Sequence, residues 1–191
     1  MTTGADQLVT DHTISALVED RPGVLTRVAG MFRRRGFNIS SLSVGHSESP
    51  DLSRMTFVVL GDDSVVEQVT KQLYKLIDVV RVSNISKDKM VSRELALLKI
   101  KSSAANRAEL IQLVDIFKAD IIDVATDSVV IEVTGDEDKI NSLVQLLKPF
   151  GIREIMRTGR VAMVRGSENT GGRIVSTAGT KENASDTEAV P

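Results

Sequence analysis

Few residues in this chain are suited to chemistry, and their types narrow what that chemistry is. His12 and His46 are the only histidines in 191 residues, and cysteine is absent. The two imidazoles fall in different strand-like runs, neither with a second ligand at helical spacing. Each therefore reads as a satisfied or solvent-facing side chain rather than a metal ligand. The absence of thiols removes disulfides, thiolate metal sites and cysteine nucleophiles. Two acid pairs, Asp62-Asp63 and Asp136-Glu137, each follow a glycine and precede a helical pattern. Acids so placed cap a helix and meet its dipole without acid–base work. No nucleophile elbow, P-loop or zinc-protease spacing occurs. Neither catalytic residues nor a metal site is expected.

One stretch offers binding chemistry. Val18-Glu19-Asp20-Arg21-Pro22-Gly23-Val24-Leu25 joins a strand-like run to a helical one. Pro22 is pre-set for a turn, and Gly23 lets a ligand approach the backbone. The first amides of the next helix lack intrahelical acceptors, and its dipole favours an anion there. A carboxylate can dock on the amides around Gly23, Val24 and Leu25. The oxygens of Asp20, and of Asn38 at the start of a strand expected to lie near this loop, can accept from an ammonium group. Together they make a site for a free amino acid. On spacing alone, an ordinary turn and helix cap explains the segment at least as well.

The elements that must position this loop follow an internal repeat. Ile14, Ala16 and Val18 alternate as in a strand. Val24, Leu25, Val28, Ala29 and Phe32 recur at helical spacing, stopped by Gly36. Strands are expected at 37–44, 55–60 and 79–85, with a helix on Val65, Val66, Val69, Leu73 and Leu76. After a polar linker at 86–92 the order returns. Strands are expected at 94–100, 120–125 and 129–133, and a last extended segment at 152–164. The second pair of helices is carried by Leu110, Leu113, Val114 and Phe117, then by Ile140, Leu143, Val144 and Leu147. Two βαββαβ units make an α+β, ferredoxin-like duplication, with domains at 11–86 and 93–165. From Gly166 the chain is rich in Gly, Ser, Thr and charge, so 166–191 is expected to be a flexible, disordered tail.

Composition excludes further classes. With 24 Lys plus Arg against 26 Asp plus Glu, the net charge of −2 argues against a nucleic-acid binder. RNA-binding modules of this fold stack bases on aromatic strand residues, for which Phe57 is the best single candidate here. Arg33-Arg34-Arg35 reads as a solvated helix end complementing the dipole. No apolar run approaches the ~20 residues of a membrane helix. The opening 1–11 lacks the features of a signal or transit peptide, so a soluble, cytoplasmic protein is expected.

Leu17-Val18-Glu19-Asp20-Arg21-Pro22-Gly23-Val24-Leu25-Thr26-Arg27-Val28 resembles the opening of an ACT domain, the amino-acid-sensing module of metabolic enzymes. Arg35-Gly36-Phe37-Asn38-Ile39-Ser40-Ser41-Leu42, Leu52-Ser53-Arg54-Met55-Thr56 and Lys71-Gln72-Leu73-Tyr74-Lys75-Leu76-Ile77-Asp78-Val79 narrow the match. They resemble the regulatory (small) subunits of acetohydroxyacid synthase, also called acetolactate synthase. Arg93-Glu94-Leu95-Ala96-Leu97-Leu98-Lys99-Ile100 and Asp120-Ile121-Ile122-Asp123-Val124 extend the likeness into the second half.

The resemblance implies a non-catalytic subunit that activates a large subunit and confers feedback inhibition by branched-chain amino acids, chiefly valine. The chemistry would belong to that partner, with its thiamine diphosphate, Mg²⁺ and FAD, and this chain would carry no cofactor. The effector would sit between two ACT domains of a homodimer, with Gly23 and Asn38 at family effector positions. Asp20 stands where enterobacterial relatives carry Asn; it still accepts from an ammonium but sets a charge nearer the effector carboxylate. The second half has Ala104-Ala105-Asn106-Arg107 in place of the Pro-Gly turn, so it is expected to bind no effector and to serve contact with the partner or the dimer. The alternative is a stand-alone amino-acid-sensing ACT protein acting on another enzyme.

Overall fold

A computed structural model describes residues 9–167 and 170. The first unit runs β1 (Thr10–Glu19), α1 (Val24–Arg35), β2 (Ile39–His46), β3 (Leu52–Gly61), α2 (Asp63–Leu73) and β4 (Val79–Asn84). Its antiparallel sheet has the order β2-β3-β1-β4, leaving β2 and β4 as edges. On β1 the alternation expected of a strand places Ile14, Ala16 and Val18 toward the helices, where they join Met55, Phe57 and Val59 of β3. Val24, Val28, Met31 and Phe32 form the buried stripe of α1, and Val66, Val69 and Leu73 that of α2. Phe57 is fully buried and stacks on Phe32 at 5.2 Å between centroids, so it is core and not a base platform.

Local chemistry sets the helix ends. Gly36 ends α1 at φ 69°, a left-handed conformation favourable to glycine. The Asp62 side chain accepts from the Val65 amide at the start of α2. Asp136 does the same for Lys139 at the start of α4 (Glu137–Leu147). The two acid pairs thus cap as their positions suggested, each cap being worth about 1 kcal/mol.

The second unit runs β5 (Met90–Lys101), α3 (Arg107–Ile116), β6 (Asp120–Val124), β7 (Ser128–Gly135), α4 and, after a 3₁₀ turn at Lys148–Phe150, β8 (Ile152–Arg157). Its sheet has the order β6-β7-β5-β8. Ala96, Leu98 and Ile100 face Leu110, Ile140, Leu143 and Leu147 in a separate core. The α+β duplication of two ferredoxin-like units is therefore present.

Several boundaries differ from the expectations, three of them with a structural reason. β2 spans Ile39–His46 because Gly36 and Phe37 complete the helix cap, with Phe37 donating to the Phe32 carbonyl. The linker is shorter than 86–92, since β5 already begins at Met90. The last extended segment is two strands, β8 and β9 (Val161–Val164), broken at Thr158-Gly159-Arg160. The break lets β9 pair with the start of β5, Met90 opposite Val164, while β8 pairs with its end. Most of the expected tail at 166–191 lies outside the described residues. No helix among those described is long and apolar enough to cross a membrane.

Candidate functional site

The Asp20–Gly23 loop leaves the C-terminal end of the central strand β1 and enters α1. Gly23 sits at the N-cap with φ 88°, and no side chain caps the helix. Its carbonyl accepts from the Arg27 amide at 3.0 Å, and the Val24 amide reaches the Arg21 carbonyl at 3.4 Å. The amides of Leu25 and Thr26 have no acceptor among the described residues. The Gly23 amide has none either, so of the three amides expected to be open only that of Val24 is taken, and that of Thr26 joins the other two. The first turn of α1 contains no acid, unlike those of α2, α3 and α4, so no carboxylate of that turn opposes an incoming anion. Val24 is buried in the core, whereas Leu25 is 46% exposed at the mouth of the loop.

A buried carboxylate underpins the loop. Asp78, in the turn before β4, is 1% exposed. Its Oδ1 accepts from Arg21 Nε at 3.0 Å and Nη2 at 2.6 Å, and from Arg27 Nη2 at 2.9 Å. Its Oδ2 accepts from Arg27 Nε at 2.5 Å. Arg27 first, and Arg21 next, hold the Asp78 carboxyl below the usual carboxylate range. A Cβ added to Gly23 would lie 3.3 Å from Arg27 Nη1, so the loop rests directly on this guanidinium. Asp78 was not singled out; its signal is an acid inside the apolar run Leu76-Ile77-Asp78-Val79-Val80.

Asp20 is fixed at both ends. Its amide donates to the Asp51 carbonyl at 2.8 Å, and its Oδ2 lies 2.9 Å from His46 Nδ1 at the far end of β2. His46 is exposed, as expected, yet it belongs to this site. His12 is buried, with Nε2 3.2 Å from the Gly61 carbonyl, and reads as a core histidine.

Asn38 is not brought to the loop within one chain. The ladder with β3 runs from Ile39 opposite Val59 to His46 opposite Ser53. Asn38 thus lies at the opposite end of β2 from His46 and Asp20, about 26 Å from His46 at the rise of an extended strand. Asn38 was expected to begin a strand near this loop; β2 begins one residue later, at Ile39, and its other end is the one near the loop. The reason is topological: β2 runs parallel to β1, so it starts where β1 starts.

The corresponding turn of the second unit is built differently. Asn106 Oδ1 accepts from the Ser103 amide at 2.7 Å, and Arg107 donates to the Ala125 carbonyl at 3.0 Å. Among the described residues, no group of three or more His, Cys, Asp or Glu side chains is arranged to hold a metal ion.

Two tandem ferredoxin-like units, the first with a glycine-led entry into its first helix, place the chain among ACT-type proteins. Residues 14–81 match the model of the AHAS small subunit-like ACT domain, and residues 93–166 that of the small subunit of acetolactate synthase. The acetolactate synthase small subunit of Mycolicibacterium smegmatis is 51% identical over 160 residues, covering 84% of this chain and 94% of that one. That of Mycobacterium leprae is 51% identical over 160 residues, covering 84% and 95%. The crystal structure of the Thermotoga maritima small subunit aligns with a TM-score of 0.78 at 45% identity, covering 83% of this chain and 99% of that one. This chain belongs to the acetolactate synthase small-subunit family.

Proposed function

We propose that the chain is the regulatory subunit of acetolactate synthase: it binds the catalytic large subunit, raises its activity and makes it sensitive to valine. Membership of the small-subunit family supports the partner, and the effector site is carried by one observation, the uncapped entry of α1, where Gly23 leaves the Leu25 and Thr26 amides open to an anion. The effector carboxylate docks on those amides. The Asp20 carboxylate accepts from the ammonium, and exposed Leu25 offers apolar contact to a branched side chain. The thiamine diphosphate, Mg²⁺ and FAD that serve the condensation belong to the large subunit.

The separation of Asn38 from the loop supports a dimer. β2 is an edge strand with one side unpaired, and such edges seek a partner. Antiparallel pairing of two β2 edges sets Asn38 of one copy beside the Asp20–His46 end of the other. Each effector then lies between two chains. Calorimetric titration of the purified chain with valine, followed by a synthase assay of the reconstituted holoenzyme, tests the reading. Heat of binding and valine-dependent inhibition are expected. Absence of heat at millimolar valine overturns the effector site, and failure to capture a thiamine-dependent large subunit favours a stand-alone sensor.

A further inference from the structure

The segment Thr158-Gly159-Arg160, between β8 and β9, lies across β2, the strand that Asn38 immediately precedes. A Cβ on Gly159 would fall 2.1 Å from the Leu42 carbonyl oxygen and 2.4 Å from its carbon. Only glycine allows this backbone-on-backbone approach. The next amide, that of Arg160, donates to Ser41 Oγ at 2.8 Å. The Arg160 guanidinium, 14% exposed, then reaches in both directions. It donates to Thr13 Oγ1 on β1 at 3.4 Å and to Glu137 Oε2 in the first turn of α4 at 2.6 Å. It also lies 3.8 Å from Glu94 Oε1 on β5. Glu94 is buried and held by Arg157 at 2.5 Å, which donates in turn to Asn141 of α4. One residue thus ties β1 and β2 of the first unit to β5 and α4 of the second.

Two features leave room at this junction. A cavity of about 450 Å³ lies beside the contact, lined by Asp11, Ser40, Glu137 and Arg157, so the units are not close-packed here. The β2 ladder shifts register between Ile39 and Ser41. That irregularity lies between Asn38 and the clamped Ser41, where strand position is least constrained by pairing.

We propose that the Thr158-Gly159-Arg160 clamp carries effector occupancy from β2 to the second unit, whose orientation then sets the activity of the catalytic partner. The inference rests on the valine-binding reading above. Effector binding at Asn38 moves β2, and the clamp transfers that movement to α4 and β5 through Arg160. The effect is bounded by the difference in effector affinity between the two arrangements.

The test uses Gly159→Ala, which wedges the segment off β2, and Arg160→Ala, which keeps the glycine contact and removes the side-chain ties. The second variant also serves if the first fails to fold. For each, valine affinity of the chain is measured by calorimetry, and valine inhibition in the reconstituted holoenzyme. Hydrogen exchange of the 158–164 segment is followed with and without valine. Expected are a dissociation constant within about threefold of wild type and retained activation, with a half-inhibiting valine concentration raised about tenfold or more. Valine-dependent protection of 158–164 should be present in wild type and lost in the variants. Unchanged inhibition in a folded variant overturns the clamp while leaving the effector site standing. Equal losses of binding and inhibition also overturn it, by making the segment part of the effector site. No valine binding by the wild-type chain overturns the underlying reading, and the clamp with it.

Discussion

Gly23 combines two demands that no other residue type meets as easily. It holds φ 88° at the N-cap of α1 and leaves the space above Arg27 clear. Replacing it with Asp imposes a left-handed backbone costing about 1–2 kcal/mol and sets a carboxylate next to Arg27 Nη1, over the open amides. That carboxylate occupies the anion position itself. Gly23→Asp is therefore expected to abolish valine inhibition while leaving activation of the large subunit, read from synthase assays with and without valine. Loss of activation as well would assign the loop a different role. Asp78 acts at the same scale from below. Its folded-state value lies below the unfolded one of about 3.9. Its contribution to stability is complete above that unfolded value and lost as pH falls through the lower, folded one. Asp78→Asn should lower the melting temperature at neutral pH, where Arg21 and Arg27 lose their shared charge partner, and flatten the acid limb of a melting-temperature profile below about pH 4. An acid limb as steep as wild type would show that the stabilisation lies elsewhere.

At the scale of elements, the two units rest on separate cores, each with its own capped helix. Leu143 is fully buried on α4 against the second sheet. Leu143→Ala removes packing and leaves a void, a loss of about 2–5 kcal/mol. Asp136→Ala removes only the α4 cap, a loss of about 1 kcal/mol. In urea titrations of the full chain, the first variant should shift the midpoint severalfold more than the second. Both should spare valine binding, because the loop rests on α1, β1 and Asp78 of the first unit. Comparable shifts from both would mean that the second core relaxes around the lost side chain.

The proposed effector site is completed only at the scale of a dimer. If each site takes Asp20 and Gly23 from one chain and Asn38 from a second, Gly23→Asp and Asn38→Ala chains each lose both sites alone. A mixed dimer of the two regains one, because the Asn38→Ala chain supplies an intact loop and the Gly23→Asp chain an intact Asn38. Mixed dimer isolated through two different affinity tags after co-expression should bind about one valine per dimer in calorimetry. If valine binds the paired state alone, it should also draw the monomer–dimer equilibrium toward dimer in sedimentation velocity. No recovery in the mixed sample would place the whole site within one chain.

Much of this molecule was legible in one dimension because it depends on neighbours in sequence. The period-2 run of β1, the helical stripes of α1 and α4, and the caps at Asp62 and Asp136 arise from contacts within a few residues. The glycine-led entry into α1 is equally local, and it is repeated in no other helix of the described residues. Tertiary structure decided what depends on distant partners. It drew Asp78, 51 residues from Arg27, beneath the loop. It set His46 against Asp20 and carried Asn38 to the other end of the sheet, because β2 runs parallel to β1. It also laid Gly159 on Leu42, a contact that no periodicity encodes. The sequence by itself determined the two units and the loop that opens the first helix, since short-range sterics and hydrogen bonds are written in adjacent residues. Which charges support that loop, and which strand the second unit grips, followed only from strand direction and chain crossing.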